Sequence, residues 1–250
     1  KFMLIIIPIV AGLAPSFIWL LYFLRKDNHP EPNRMILKIF GVGMMITVAA
    51  AFIEFYVEET ATIGMEFAKN ISFLSSIYPA LSGFSFIFII LASAFVEEFG
   101  KYLIVKEAVL SHPAFDEPVD TMIYMIVAAL GFAAVENMLI LLSLREFFHE
   151  TTMYIIGFRF IGATFLHALC SATVGYFLAL SLCEKNKKIL LVLTGLTSAT
   201  LLHGIYNFSI MKAGDNPNYI FLTVGILVYL AFFVSLSFKK IKARASTCKI

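Results

Sequence analysis

Apolar runs of about twenty residues recur along the whole chain, and they leave few folds open. Runs long enough to cross a hydrocarbon core of roughly 30 Å fall at 3–24, 35–57, 83–106, 120–143, 155–182, 188–210 and 219–238. In lipid every backbone N–H and C=O must be satisfied within its own segment or a closed barrel, so apolar runs of this length are read as helices. The expected fold is all-α: a polytopic integral membrane protein with about seven transmembrane helices in a single membrane-embedded domain, 1–250. Composition supports this, because 60% of the 250 residues are hydrophobic and only 14% are charged, with a mean hydropathy of +0.88. A soluble domain is nearer half apolar and a quarter charged.

The connections between runs are short, polar and punctuated by proline: Pro30 and Pro32, Pro113 and Pro118, and Pro217. The longest, 58–82, is expected to be a loop with a short interfacial helix around 65–73. There is no internal repeat, low-complexity segment or soluble domain. The first apolar run is long enough to span and lacks a small-residue cleavage site, so it is not read as a cleavable signal. The chain begins at Lys1 rather than Met, which suggests a trimmed or incomplete start. Cys170, Cys183 and Cys248 show no metal-binding spacing and are expected as free thiols. A net charge of +2 gives no case for nucleic acid as a partner.

Loop lysines and arginines set the expected orientation. Arg25, Lys26, Arg34, Lys106, Lys185, Lys187, Lys188, Lys239, Lys240, Lys242, Arg244 and Lys249 fall on one side of the spans. Only Lys1, Lys69, Arg145 and Lys212 fall on the other. The richer side is expected to be cytoplasmic, with the N-terminus outside and the C-terminus inside. The basic tail 239–249 reads as a topological anchor.

Against this background, Glu97-Glu98-Phe-Gly-Lys101 stands out, because it lies inside an apolar run from about 83 to 105. Three charges at a helix centre cost on the order of 8–10 kcal/mol, which the apolar residues of the run barely offset. Such a helix inserts only if the charges face a protein interior, pair or neutralise. Lys101 is four residues from Glu97 and three from Glu98, within helical reach of both. The pattern fits a buried structural ion pair as well as a functional site, since intramembrane ionisable groups mark function by default.

Six further polar positions interrupt other runs. Glu136 and Asn137 are adjacent on the fourth. Arg159 and His167 share a face of the fifth, and His203 and Asn207 share a face of the sixth at four-residue spacing. Each has a simple structural reading: Glu136 neutralising Arg159, Arg159 snorkelling to the outer end, a packed histidine, an interhelical asparagine. Glu54, Glu58 and Glu59 read as interfacial at the outer end of the second run. Taken together, Glu97, Glu98, Glu136, His167 and His203 come from four helices. They suit water activation by a general base, and they equally suit a His/carboxylate metal site with an open position. At 1.5 Å per residue, His167 and Glu97 lie near the midplane and Glu136 and His203 about 5–8 Å further out. No intramembrane serine sits in a Gly-rich elbow, and there is no intramembrane Asp pair.

The ordered motifs resemble the PrsW family of bacterial membrane proteases, relatives of the type II CAAX-prenyl proteases. Asp27-Asn-His-Pro-Glu31-Pro32 resembles the loop after the family's first helix, and Glu97-Glu98-x-x-Lys101 its EExxK motif. Phe115-Asp-Glu-Pro-Val-Asp120 with Gly131-Phe-Ala-Ala-Val-Glu136-Asn137 resembles its next block. Arg159, His167-Ala168 and Gly175-Tyr176 resemble its fifth-helix pattern, and His203-Gly-Ile-Tyr-Asn207-Phe its HGxYNF segment. Thr121 departs from the pattern, which has Gly there, and is expected to matter little. The resemblance implies a multi-pass protease domain of a bacterial plasma membrane, performing site-1 cleavage of a membrane-anchored anti-sigma factor. It implies Glu97 or Glu98 as base, with one of His167 and His203 assisting and the other facing the tetrahedral intermediate with Asn207. Glu136 stands where CAAX proteases carry a histidine, and Lys101 is assigned to charge pairing with Glu97 or Glu98. Asn137 and Arg159 are supporting residues. If a metal such as zinc is the cofactor, its ligands are drawn from His167, His203 and Glu97, Glu98 or Glu136; otherwise the protease is glutamate-type.

Two other classes fit the same residues: a non-enzymatic scaffold that binds a membrane partner, and a proton-coupled transporter with a Glu/His relay. The second lacks the internal repeat that transporters usually show. A seven-span retinal receptor is disfavoured because the last run, 219–238, contains no lysine.

Overall fold

In a computed structural model, residues 2–27, 29–143 and 157–244 are described. Their elements are α1 (Phe2–Leu24), α2 (Asn33–Lys69), α3 (Ser72–Ser76), α4 (Tyr78–Ala108), α5 (Asp120–Ser143), a π-helical turn (Arg159–Ala163), α6 (Thr164–Cys183), a 3-10 turn (Lys185–Lys187), α7 (Lys188–Ala213) and α8 (Tyr219–Arg244). No strand occurs among the described residues. Among the described residues, six helices are long and apolar enough to cross a membrane, namely α2, α4, α5, α6, α7 and α8. The apolar stretch of α1, Pro8–Leu24, is shorter. The protein is thus a polytopic all-α membrane protein, with six spanning candidates and a shorter apolar stretch in α1.

The organising element is α5. Every residue from Asp120 to Val135 is buried, as befits a helix that is apolar on all sides and therefore sits at the centre of a bundle. Around it pack α1, α2 and α6, with α4 closing one side; α7 bridges α4 and α6, and α8 covers α6 and α7. Two glycines permit the tightest of these contacts. A Cβ on Gly131 of α5 would strike the carbonyl oxygen of Phe40 on α2, and a Cβ on Gly43 of α2 would strike the carbonyl oxygen of Ala128 on α5. Small residues let membrane helices approach backbone to backbone. Thr47 exploits the closeness: its hydroxyl donates to the carbonyls of Gly43 (3.0 Å) and of Phe132 across the interface (3.2 Å).

Three expectations are corrected by the fold. Residues 58–82 are not a loop, because α2 runs unbroken to Lys69 and α4 begins at Tyr78, with α3 between them. The glutamates and lysine that end the apolar run there are good helix formers, so the apolar signal stops before the helix does. Thr121 is not inconsequential: it is fully buried, and its hydroxyl donates to the carbonyls of Pro118 and Gly175, both at 2.8 Å, tying α5 to α6. Cys170 is a free, buried thiol, as expected, but Cys183 is disulfide-bonded. Disulfide pairing depends on three-dimensional proximity, which spacing alone does not give. Cys248, Lys1, Arg145 and Lys249 lie outside the described residues.

The basic segments collect at one end of the bundle. Lys242 donates to the carbonyl of Lys26, and Arg244 pairs with Glu184 at 3.3 Å. His29 in the α1–α2 connection meets Glu117 in the α4–α5 connection at 2.6 Å. At this end Tyr124 donates to Glu31 at 2.5 Å, while the backbone N–H groups of Asp116 and Glu117 donate to Asp120.

Candidate active site

At helical spacing, α4 sends Glu97, Glu98 and Lys101 inward on one face, and Glu98 and Lys101 are fully shielded from solvent. The Lys101 ammonium donates to Glu98 Oε1 at 2.8 Å and Glu97 Oε2 at 3.2 Å. It also reaches His167 Nδ1 on α6 at 2.9 Å and lies 4.3 Å from the centre of the Phe132 ring on α5. Charges buried this deeply persist only when paired and hydrogen-bonded, and here the pairing spans three helices.

Lysine can only donate, which decides the state of His167. Its Nδ1 accepts from Lys101, so its Nε2–H donates to Glu136 Oε2 at 2.7 Å. Glu136 is fixed in turn by Arg159, whose guanidinium pairs with Glu136 Oε1 at 2.9 Å and whose Nε donates to Asn137 Oδ1 at 2.7 Å. The Asn137 amide then donates to Thr164 Oγ1 at 2.8 Å, across to the first residue of α6. Arg159 therefore does not snorkel outward; it turns inward from a π-helical turn, a local widening often found at functional sites.

His203 arrives from α7. Its Nδ1 lies 3.1 Å from Glu98 Oε1, which can only accept, so it donates there, and its Nε2 lies 3.9 Å from Glu97 Oε2. Glu98 is fully committed, its other oxygen accepting from Ser171 at 2.9 Å. The two imidazole rings stand perpendicular, 5.0 Å apart. Glu97, Glu98, His167 and His203 each offer a ligand atom, and these four atoms lie within 4.8 Å of one another. All nine residues singled out from the sequence lie in or beside this centre: the four just named, with Lys101, Glu136, Asn137, Arg159 and Asn207.

A cavity of about 1160 Å³ reaches the centre. Its polar lining includes Glu136, Arg159, His167, His203 and Asn207, and most of the rest is apolar, from α4, the π-helical turn, α7 and α8. Glu58 also lines it, so Glu58 is not merely interfacial. Glu54 is a second departure. One of its carboxylate oxygens is buried without a partner, and the side chain lies within electrostatic reach of Glu97 and Glu136. The apolar run ends near residue 57, which made position 54 read as a helix end, whereas α2 continues for another twelve residues, to Lys69. Tyr206 was also not singled out by itself: it lines the cavity, and its hydroxyl is buried against Gly162 without a partner.

A bundle of membrane-spanning helices with carboxylates and imidazoles meeting at the base of a cavity is the architecture of a membrane-embedded peptidase. The chain belongs to the PrsW family: the family described as "PrsW family intramembrane metalloprotease" matches residues 31–236. Among its relatives, Protease PrsW of Bacillus subtilis is 30% identical over 227 residues, covering 90% of this chain and 91% of that protein. Protease PrsW of Oceanobacillus iheyensis is 27% identical over 223 residues, covering 88% and 90%. Protease PrsW of Geobacillus kaustophilus is 28% identical over 204 residues, covering 81% and 79%. No solved structure matches. The protein is therefore an intramembrane peptidase of this family, which decides against the scaffold and transporter readings.

Proposed function

We propose that this protein, as a single protease domain, hydrolyses a peptide bond of a membrane-anchored anti-sigma factor near the outer face of a bacterial plasma membrane. The N-terminus lies outside and the basic end of the bundle lies in the cytoplasm. The observation that carries this reading is the convergence of Glu97, Glu98, His167 and His203 around one buried ammonium, beneath a largely apolar cavity. An apolar cavity inside a helical bundle suits the end of a transmembrane segment.

The contacts divide the roles. Glu98 has both oxygens occupied and holds Lys101 and His203 in place, so it is a positioning residue. Glu97 Oε2 and His203 Nε2 are 3.9 Å apart, close enough for one water to bridge them beside the cavity that His203 lines. Glu97 takes the proton as general base, the work for which a positioned carboxylate contributes about 10²–10⁴-fold. Asn207, in the cavity wall, supplies an amide donor for the oxyanion. Glu136 and Arg159 lock the His167 tautomer.

The donor set also fits a divalent cation: two carboxylates and two imidazoles of close spacing form a zinc-type ligand group. When bound, such an ion polarises a carbonyl and acidifies a bound water. Glu97, Glu98, His167 and His203 are the residues that would hold it.

The test is co-expression with a membrane-anchored anti-sigma factor. Wild type yields a truncated product, while Glu97→Gln, Glu98→Gln and His203→Ala variants, present at wild-type levels, yield none. Full cleavage by the Glu97→Gln variant would sink the proposal.

A further inference from the structure

The Lys101 ammonium occupies the space that a metal ion would need. Of the four candidate ligand groups, it touches three: Glu97 Oε2, Glu98 Oε1 and His167 Nδ1, at 2.8–3.2 Å. These are hydrogen-bond distances, and a cation ligated by the same atoms has no room beside the ammonium. His167 makes the conflict strict. Its one lone pair, on Nδ1, is spent on Lys101, and its Nε2–H is spent on Glu136. A neutral imidazole has no third site to offer.

We infer that Lys101 and a divalent metal ion are alternative occupants of one position, so that metal binding through His167 requires Lys101 to leave it. Lys101 is then a positioning residue that sets the metal affinity of the site: it satisfies the carboxylates when no metal is bound and weakens the metal by competing with it. The inference deepens the proposed function, because it takes the same four residues as the reactive centre. It does not depend on whether they cleave anything.

The experiment uses purified, metal-stripped full-length protein in detergent, titrated with Zn²⁺ against a chromophoric chelator. Lys101→Met keeps an unbranched stem of similar volume and removes the ammonium. The expected result is zinc affinity tighter than wild type by about tenfold or more, the size of effect that residues beside metal ligands produce. Zinc is also expected to raise the melting temperature of Lys101→Met more than that of wild type, because it replaces the lost counter-ion. The gain should vanish in Lys101→Met/His167→Ala, which separates this site from adventitious zinc. Lys101→Gln serves as a second variant should Lys101→Met not fold. Equal or weaker zinc affinity in the folded lysine variant, or no zinc binding by either protein, would overturn the inference. Because the readout is zinc affinity, cleavage surviving in Glu97→Gln would refute the proposed function and leave this result intact.

Discussion

The buried pair of Glu98 and Lys101 offers the sharpest energetic test of the site's construction. Both side chains are fully shielded, their charged atoms lie 2.8 Å apart, and Glu98 also holds Ser171 and His203. Removing one partner of such a pair strands the other and costs about 3–5 kcal/mol. Lys101→Met strands two carboxylates, so it should cost near the top of that range. Glu98→Gln keeps the shape and an acceptor for the ammonium but removes the carboxylate charge, while Glu97 still pairs with Lys101, so it should cost about 1–2 kcal/mol. In the double variant neither charge of the pair remains, and methionine fills the lysine's volume. Its cost should therefore fall short of the sum of the singles by about 1–3 kcal/mol, the coupling expected of residues in direct contact. The assay is reversible denaturant unfolding in mixed micelles, followed by circular dichroism. Additivity within about 0.5 kcal/mol, as for distant sites, would refute the view that Lys101 is held as the counter-ion of Glu98.

Other consequences follow from individual contacts. Gly131→Ala drives a Cβ into the carbonyl oxygen of Phe40, so α2 and α5 must separate; a loss of about 1–3 kcal/mol or more should appear in the same unfolding assay, and wild-type stability would contradict the packing. Burial pushes the Glu31 carboxyl above its ordinary value, opposed by hydrogen bonds from Tyr124 and Asp120 and assisted by the charges of Asp27 and Asp116. A group whose folded value is raised contributes stability at low pH that is lost as pH rises through that value. Melting temperature should therefore fall with rising pH from the ordinary carboxylate range upward, and Glu31→Gln should flatten the profile. Tyr206→Phe removes a buried hydroxyl that lacks a partner; stability should hold or rise by about 1 kcal/mol, read as a melting temperature no lower than wild type.

The intramembrane charges were legible because polar residues are costly in apolar runs, and their helical spacing already joined Glu97, Glu98 and Lys101. The contributions of α5, α6 and α7 were legible as residue types. Their connections were not. Nothing in the spacing indicates that His167 accepts from Lys101 and donates to Glu136, or that Arg159 turns inward through Asn137 to Thr164. Those depend on rotamers and interhelical distances. Glu54 was missed because hydropathy marks where apolar residues end, while helix propensity carries α2 on to Lys69. Thr121 was undervalued for a related reason: comparison with a motif registers a departure but not the carbonyl of Gly175 that the hydroxyl meets across the α5–α6 interface.

The most direct measurement of the central claim is turnover by purified protein in liposomes, on a membrane-anchored substrate with a scissile bond near the outer face. Wild type should cleave it, and Glu97→Gln, folded to the same melting temperature within a few degrees, should lose about a thousandfold in kcat/KM, within the range for a lost general base. Turnover by Glu97→Gln within a few-fold of wild type would contradict the account.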